Sequence, residues 1–382
     1  MIRRFPGAAV FIALLATSPP LRAGEIQVVL EGHGVDLNHT PVFVTLDEAD
    51  LEPGAYQLQP MGGKGEPIPA QVVKQEDHLA LALIVPSLGA RETARLTMVP
   101  ASEEAQGVAI TPEGQNLHVS IDGDLFTIYR AEDAPKPYFF PIMGPTGKAM
   151  TRAYPMEDVE GEDRDHPHQR SFWFTHGNVD GVDFWASDPL NRPNPKFGTI
   201  REVGQRIVIE GPVVGIIETS NAWMSPEGTV LCTDQRIWKT YALDGQRVID
   251  FDITISAGKA PVTFADTKEG TFGLRLASSM NVNKKQGGRI INAEGITDSE
   301  AWGKASPWVD YTGPIEGETL GVSILNHPES FRYPTTWHVR DYGLFAANPF
   351  GYRDFKYGAS GSHTIEPGKS IHLGYRVIFH EG

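Results

Sequence analysis

The chain has little cysteine and fewer basic than acidic residues, and each shortage excludes a class of protein. Its 382 residues include one cysteine, Cys232, so no intrachain disulfide can form and stability must come from core burial. Cys232 follows Val230 and Leu231, a setting typical of a packed thiol rather than a nucleophile. The formal charge is −15, and a surface of that sign repels phosphate backbones. We therefore do not expect nucleic acid as a partner.

Long apolar runs are also missing. The apolar run at 8–16 is far shorter than the ~20 residues that span a bilayer, and no later stretch is long or apolar enough to do so. This run follows Arg3 and Arg4 and precedes Ala23, which is the arrangement of a secretory signal and its cleavage site. We expect residues 1–23 to be a signal peptide, the mature protein to be periplasmic or extracellular, and no integral membrane partner.

Several catalytic signatures are absent as well. The sequence contains no Gly-rich phosphate loop, no Gly-x-Ser-x-Gly nucleophile elbow and no His-Glu-x-x-His motif. Nucleotide chemistry and serine-esterase chemistry therefore receive little support, and a helical zinc-protease site receives none.

The patterns that are present predict a β protein. Helical periodicity is rare, whereas 40 glycines and 29 prolines suit turns between many short strands. In 24–100, alternating leucines in short β-runs predict a small sandwich, and the polar segment 101–115 predicts a linker. Farther on, isoleucine or phenylalanine occupies every second position from 249 to 255, which predicts a long, half-buried strand.

The most informative stretch is 163–185. It contains three histidines, two arginines, four aspartates and two tryptophans, interleaved with glycines and phenylalanines. Isolated buried charges are costly unless they are paired or bound to a ligand, and aromatic rings beside convergent polar groups are typical of sugar sites. A solvated loop with a structural hydrogen-bond network is the alternative. The density of aromatic residues favours the wall of a ligand site.

Two later segments, 264–275 and 326–354, repeat this mixture of charged and aromatic residues. The members that we select are Asp266, Lys268, Glu269, Arg275, Trp337, His338, Arg340, Asp341 and Asn348. Ion pairing of the arginines with Asp266 or Asp341 would be a purely structural role. We expect instead that the three segments meet in one cleft.

Two kinds of chemistry fit the histidines. If the backbone is extended, His166 and His168 lie on the same side of it and, with His176 and a carboxylate such as Asp165 or Asp183, could bind a divalent metal. Alternatively, one histidine is a general acid or base, and a carboxylate supplies the complementary role without any cofactor. Glu269 is the carboxylate that we select, and Arg170, Arg275 and Arg340 would orient substrate oxygens through their planar guanidinium groups.

The three segments also resemble a known family. The motifs are Asp-His-Pro-His-Gln-Arg-Ser-Phe-Trp-Phe-Thr-His-Gly from 165, Asp-Thr-Lys-Glu-Gly-Thr-Phe-Gly-Leu-Arg from 266, and Pro-Thr-Thr-Trp-His-Val-Arg-Asp-Tyr-Gly-Leu-Phe-Ala-Ala-Asn-Pro-Phe-Gly from 334. They resemble DUF6807, a family of exported bacterial proteins that often carries the label "methane oxygenase PmoA". The resemblance covers most of 120–382. It implies a setting of glycan degradation and a β-supersandwich like that of galactose mutarotases and several polysaccharide lyases.

Our expectation for the fold is therefore all-β, with a small N-terminal β-sandwich at 24–100 and a large antiparallel, galactose-mutarotase-like β-supersandwich at 116–382. The expected function is that of an exported carbohydrate-active enzyme that binds a glycan or glycoside. Hydrolysis, β-elimination and epimerisation all remain open, since each uses pairs of proton-transferring groups.

The expected site follows from the three segments. The candidate catalytic residues are His166, His168, His176, Glu269 and His338. The candidate substrate-binding residues are Arg170, Trp173, Asp183, Trp185, Lys268, Arg275, Trp337, Arg340, Asp341 and Asn348. One alternative is a non-catalytic glycan-binding protein that uses its tryptophans as stacking platforms. Another is a metal-dependent oxidoreductase, as the family label implies.

Overall fold

The structure is a computed structural model that describes residues 26–32, 34, 36–46, 51–63, 65–75, 78–101 and 106–382. The predicted signal peptide lies outside the described residues. Within them the fold is all-β, as predicted, and the helical elements are short 3₁₀ turns at Ser278–Met280, Val282–Lys284 and Asp298–Ala301. No helix in this described part is long and apolar enough to cross a membrane.

The N-terminal region forms one six-stranded antiparallel sheet. Its strands are β1 (Gln27–Glu31), β2 (Leu37–Leu46), β3 (Gly54–Pro60), β4 (Ile68–Gln75), β5 (His78–Leu88) and β6 (Thr93–Pro100). They are hydrogen-bonded in the order β1-β6-β3-β4-β5-β2. All six strands contribute side chains such as Val28, Leu58 and Leu81 to one apolar core. Burial of that shared face stabilises the region.

The rest of the chain contains eighteen further strands among the described residues. The first nine are β7 (Val108–Glu113), β8 (Asn116–Ile121), β9 (Asp124–Arg130), β10 (Tyr138–Ile142), β11 (Phe172–His176), β12 (Thr199–Ile209), β13 (Val214–Met224), β14 (Val230–Tyr241) and β15 (Gln246–Ala257). The others are β16 (Val262–Phe264), β17 (Gly270–Arg275), β18 (Arg289–Asn292), β19 (Trp308–Ile315), β20 (Glu318–Asn326), β21 (Trp337–Val339), β22 (Leu344–Ala347), β23 (His363–Ile365) and β24 (Ser370–Glu381).

Two eight-stranded antiparallel sheets pack face to face. The front sheet has the order β21-β22-β17-β11-β10-β9-β8-β7, and the back sheet has the order β12-β13-β14-β15-β24-β20-β19-β18. Aromatic rings fill the space between them, as where Phe272 of the front sheet stacks on Phe251 and Tyr375 of the back sheet, with ring centroids 5.0 and 4.5 Å apart. This large two-sheet sandwich confirms the predicted fold class.

The predicted half-buried strand is β15. Phe251, Ile253 and Ile255 point into the space between the sheets, as their spacing indicates. The opposite face carries Asp250 and Asp252. Asp250 is nevertheless only 5% exposed, because Arg376 and Tyr241 bind its carboxylate.

The N-terminal sheet packs on the outer face of the back sheet. An apolar cluster joins Val73 and Ala82 to residues such as Val214 and Val248. Gln71 adds a polar link, because its Oε1 accepts hydrogen bonds from two backbone N–H groups at 213 and 214, at 3.2 and 3.0 Å. The segment 101–115, expected as a linker, includes β7, the edge strand of the front sheet. The proposed domain boundaries stay a prediction.

Side chains alternate between the two faces of a strand, and this alternation on the front sheet decides which residues can reach a ligand. On β11, Phe172 and Phe174 face the core between the sheets, whereas Trp173 faces outward. On β21, Trp337 faces the core, so the next residue, His338, lies on the outer face. The connections 143–171 and 177–198 cover this outer face and complete a pocket there.

Candidate functional site

A pocket of about 400 Å³ lies on the outer face of the front sheet. All three sequence segments contribute to it. The first does so from the connections on either side of β11, the second from the turn before β17, and the third from β21 and the turn after it. Seven of its lining residues were predicted: His166, His168, Trp185, Lys268, Glu269, His338 and Arg340. Three were not: Gln169, Ala186 and Tyr342. A volume of this size is in the range of small-ligand sites.

His338 is held in one tautomer. Its Nδ1 lies 2.6 Å from the backbone carbonyl of Lys268, and a carbonyl oxygen can only accept, so Nδ1 carries the hydrogen. Burial lowers the pKa of His338 to about 4, and the ring is therefore neutral at pH 7. Its Nε2 then has a free lone pair. That nitrogen has no partner among the described residues and is not sealed from solvent. His338 therefore presents a proton acceptor to the pocket.

His168 is held in the opposite tautomer. Asn191 Nδ2 donates to the carbonyl of Ala186 at 2.6 Å, which fixes the orientation of the amide, and it also lies 3.0 Å from His168 Nδ1. His168 Nδ1 must therefore accept, and in a neutral ring the hydrogen is on Nε2. Burial lowers the pKa of His168 to about 3, which keeps the ring neutral. His168 therefore presents a hydrogen-bond donor to the same pocket.

His166 is anchored by a charged network. Its Nδ1 donates to Asp165 Oδ2 at 2.5 Å, and its ring stacks on Tyr342 with centroids 5.4 Å apart. The other oxygen of Asp165 accepts from Arg152 and from Arg275, each at 2.6 Å. Burial alone would raise the pKa of Asp165, but the hydrogen bond from His166 and the two guanidinium charges hold it well below its usual range.

The turn that carries Lys268 and Glu269 is fixed by an amide. Asn348 Nδ2 donates to the carbonyls of Thr267 and Lys268, both at 2.9 Å. The Lys268 carbonyl also receives the hydrogen bond from His338. Lys268 Nζ and Glu269 Oε1 form an ion pair at 3.0 Å, with both side chains partly exposed. Asn348 is completely buried, so it positions this turn and does not line the pocket.

Trp185 packs against the ring of Trp173 and accepts a hydrogen bond from the buried amine of Lys136. The rings of Trp173 and Trp185 are 5.3 Å apart, and Trp173 is itself completely buried. The sheet accommodates Trp173 at Gly273, where a Cβ atom would lie 2.9 Å from its Cζ2. Lys136 Nζ donates to the carbonyl of Trp185 at 2.9 Å, and burial lowers the pKa of this lysine to about 7. Trp173 therefore supports the pocket without offering a face to a ligand.

His176 and Trp337 lie in the core. Both side chains are completely buried, because each occupies a strand position that faces the back sheet. The ring of His176 packs between Phe264 and Phe350, and its Nε2 lies 2.8 Å from the carbonyl of Ala265. The structure therefore does not bring these two predicted site residues to the pocket.

The other predicted residues lie behind or beside the pocket. Arg170 is buried and donates to Asp188 at 2.7 Å. Asp183 caps the turn that presents Trp185, because its Oδ1 accepts from the N–H of Ala186 at 2.9 Å. Arg275 is buried beneath Tyr342, in the network described above, and Asp341 lies next to the pocket without lining it.

The metal alternative needs His166, His168 and His176 in one place. The structure separates His176 from the other two, and among the described residues no three His, Cys, Asp or Glu side chains are arranged to hold a metal ion. The expected carboxylate Asp165 instead binds two arginines.

Several residues that shape or line the pocket could not be identified from the sequence. Lys136 and Asn191 lie in loops with no unusual local pattern, and their roles depend on contacts with Trp185 and His168. Tyr342 could have been found, since it is the third aromatic or charged residue after His338 in a cluster already selected. Its ring separates His166 from Arg275.

The fold and the pocket define a two-sheet β-sandwich protein with neutral imidazoles, charged groups and an indole around one small-ligand pocket. The chain belongs to DUF6807, a family of unknown function, whose model matches residues 116–382. No curated protein matches the chain.

Two solved glycosidases are similar at low identity. The GH36 α-galactosidase AgaA from Geobacillus stearothermophilus is 10% identical, with a TM-score of 0.35 over 72% of this chain and 40% of that chain. The α-galactosidase from Lactobacillus brevis is 9% identical, with a TM-score of 0.27 over 90% of this chain and 40% of that chain. The chain therefore spans well under half the length of either structure.

Proposed function

We propose that the protein is an exported carbohydrate-active enzyme that transfers protons at a sugar bound in the pocket. The observation that carries this proposal is the pair of opposite tautomers, with an acceptor at His338 Nε2 and a donor at His168 Nε2, beside the carboxylate of Glu269. Two neutral imidazoles of opposite polarity can remove a proton at one atom and stabilise charge at another.

A polyhydroxylated ligand fits this lining better than an apolar one. Sugar hydroxyls both donate and accept hydrogen bonds, and the pocket offers acceptors at His338 and Glu269 and donors at His168, Lys268 and Arg340. An apolar ligand would leave the buried ring nitrogens of His338 and His168 that face the pocket unpaired, at a cost of about 1–3 kcal/mol for each. Trp185 reaches the pocket wall, but its side chain is only 1% exposed, so it supports the wall without offering an open stacking face.

The carboxylates favour elimination or epimerisation over hydrolysis. Glycoside hydrolysis normally uses two carboxylates on either side of the scissile bond. Among the residues lining the pocket, Glu269 is the one carboxylate. Asp165, which does not line the pocket, is bound by two arginines and by His166 and is poorly placed to carry a proton. A base that removes a proton from a sugar carbon needs no second carboxylate.

Each of these residues has a separate role in the proposed reaction. His338 Nε2 accepts the proton from a ring carbon. His168 donates a hydrogen bond from Nε2 to the oxygen on which negative charge develops, and it does so without losing its own proton, since a neutral imidazole is a very weak acid. Glu269 binds a hydroxyl or moves a second proton, and Asn348 keeps the turn in position.

A screen of oligosaccharide products by mass spectrometry tests this function. We expect wild-type protein to give products lighter by one water than the hydrolytic ones, or an epimer that has the mass of the substrate and is separated from it by chromatography before the mass is measured. His168→Ala and Glu269→Gln should each lower the yield by about 10²-fold. His118→Ala, at a partly exposed histidine on β8 outside the pocket, should not. Equal yields from all four proteins would overturn the proposal.

The same screen separates the alternatives. A non-catalytic glycan-binding protein would bind oligosaccharides in wild-type form without any product, and Trp185→Ala would then have the largest effect on binding. A metal-dependent oxidoreductase would contain stoichiometric metal by elemental analysis and would give oxidised products.

A further inference from the structure

Arg340 is a cation that has no ion-pair partner in the part of the chain that the structure describes. Its guanidinium group lines the pocket and lies over two rings, 5.4 Å from the centroid of Trp302 and 5.7 Å from that of Tyr342. No carboxylate of the described residues lies within salt-bridge distance, and the group makes no hydrogen bond within that part of the chain. The two rings hold the guanidinium in place while its N–H donors stay unused.

The charged side chains that line the pocket beside Arg340 form no ion pair with it. Lys268 and Glu269 are paired at 3.0 Å and offset each other. Behind them, Arg152 and Arg275 share the single carboxylate of Asp165. Asp341, the next residue in the chain, supplies a nearby negative charge, but it forms no ion pair with the guanidinium of Arg340 among the described residues. A half-buried arginine without a partner is costly to the free protein and favours an anionic ligand.

We propose that the pocket binds an acidic sugar, a uronate, whose carboxylate is held by the guanidinium of Arg340. This inference rests on the proposed function. A planar guanidinium binds a carboxylate through two parallel hydrogen bonds, which orients the sugar as well as holding it. The pairing also explains why His338 lies two residues away: the ring proton next to a carboxylate becomes acidic enough to remove only when the carboxylate charge is compensated.

The reaction is a β-elimination without any change of oxidation state. His338 Nε2 removes the proton from the ring carbon that bears the carboxylate, and the C–H electrons form a carbon–carbon double bond. The neighbouring C–O bond breaks and its electrons go to the leaving oxygen. The His338 imidazolium returns the proton to that oxygen. Arg340 stabilises the negative charge that develops on the carboxylate during the step.

Matched oligosaccharides test the anionic substrate. Oligogalacturonate, glucuronate-containing and mannuronate oligomers are compared with their carboxyl-reduced, neutral counterparts and with sulfated neutral oligomers, by titration calorimetry and by the absorbance of unsaturated products. Wild-type protein should prefer one uronate to its reduced form by about tenfold or more. Arg340→Gln should lose that preference, and Arg340→Lys should keep part of it. Arg289→Gln, at an exposed arginine on β18, should behave like wild type.

The outcomes separate this inference from the proposed function. Wild-type protein that processes the uronate oligomers and their carboxyl-reduced forms equally well, or an Arg340→Gln variant that keeps the uronate preference, would overturn the uronate while leaving a carbohydrate-active enzyme. Preference for a sulfated oligomer would overturn the assignment of a carboxylate as the group that Arg340 binds. Failure of the wild type to bind or process any oligomer would overturn both. Thermal unfolding of each variant shows whether a loss reflects the pocket or the fold.

Discussion

Replacement of His338 by asparagine is expected to lower turnover by about 10²- to 10⁴-fold, the usual contribution of a general base. Asparagine places an amide N–H close to the position of Nδ1, so the hydrogen bond to the Lys268 carbonyl is kept and the turn stays in position. The nitrogen that accepts the proton is lost. Because the substitution removes the base and keeps the hydrogen bond that holds the turn, kcat should fall far more than the affinity for the sugar.

Steady-state kinetics of His338→Asn beside His118→Asn provide the measurement. His118 lies on β8 and pairs with Glu113 at the surface, so its replacement should leave kcat and KM near their wild-type values. Thermal unfolding should show both variants folded. Near wild-type turnover in a folded His338→Asn protein would show that the proton is accepted elsewhere.

Asp165→Ala is expected to give the largest loss of stability. The side chains of Arg152 and Arg275 are 0% and 1% exposed, and each donates to Asp165 Oδ1. Without this carboxylate, two buried guanidinium groups lose their shared partner and repel each other. We expect the free energy of unfolding to fall by about 3 kcal/mol, at the low end for a broken buried pair, because Asp165 itself is 39% exposed and water screens part of the charge.

Equilibrium unfolding in denaturant measures this loss, and Asp158→Ala is its control. Asp158 pairs with Arg164, but both side chains are mostly exposed, so the free energy of unfolding should change by less than about 1 kcal/mol. Asp165→Asn should fall between the two variants, since the amide oxygen still accepts hydrogen bonds but carries no charge. Similar stabilities for Asp165→Ala and Asp158→Ala would show that the arginines find other partners.

The sequence predicted the fold class and the three segments because each rests on a local pattern. Alternation along β15 and the abundance of turn residues indicate an all-β protein, and clusters of His, Asp, Arg and Trp are too polar for an ordinary core. The segments meet because β11, β17 and β22 are neighbours in the front sheet and β21 borders β22. That strand order is a long-range property that no local pattern contains.

The alternation of side chains between the two faces of each strand explains which predicted residues lie outside the pocket. On β11 both faces carry aromatic residues, so alternation does not show which face points to the back sheet. The structure places Phe172, Phe174 and His176 on the inner face. The same alternation places Trp337 inside and His338 outside. A pattern of aromatic and polar residues identifies a site segment, but the face that each side chain occupies depends on the partner sheet.

The tautomers depend on contacts that the sequence does not show. The carbonyl that fixes His338 belongs to Lys268, 70 residues earlier, and the amide that fixes His168 belongs to Asn191, 23 residues later. Both contacts form only when distant connections fold over the front sheet. The sequence therefore selected these histidines as candidate proton carriers without assigning a donor or an acceptor.

The nitrogen NMR spectra of the His168 and His338 rings, followed over a pH titration, test the opposed tautomers most directly. At pH 7 we expect two neutral rings, with the hydrogen on Nε2 of His168 and on Nδ1 of His338, and titration only near about pH 3 and about pH 4 respectively. The same tautomer in both rings, or an imidazolium at either position at pH 7, would contradict this expectation.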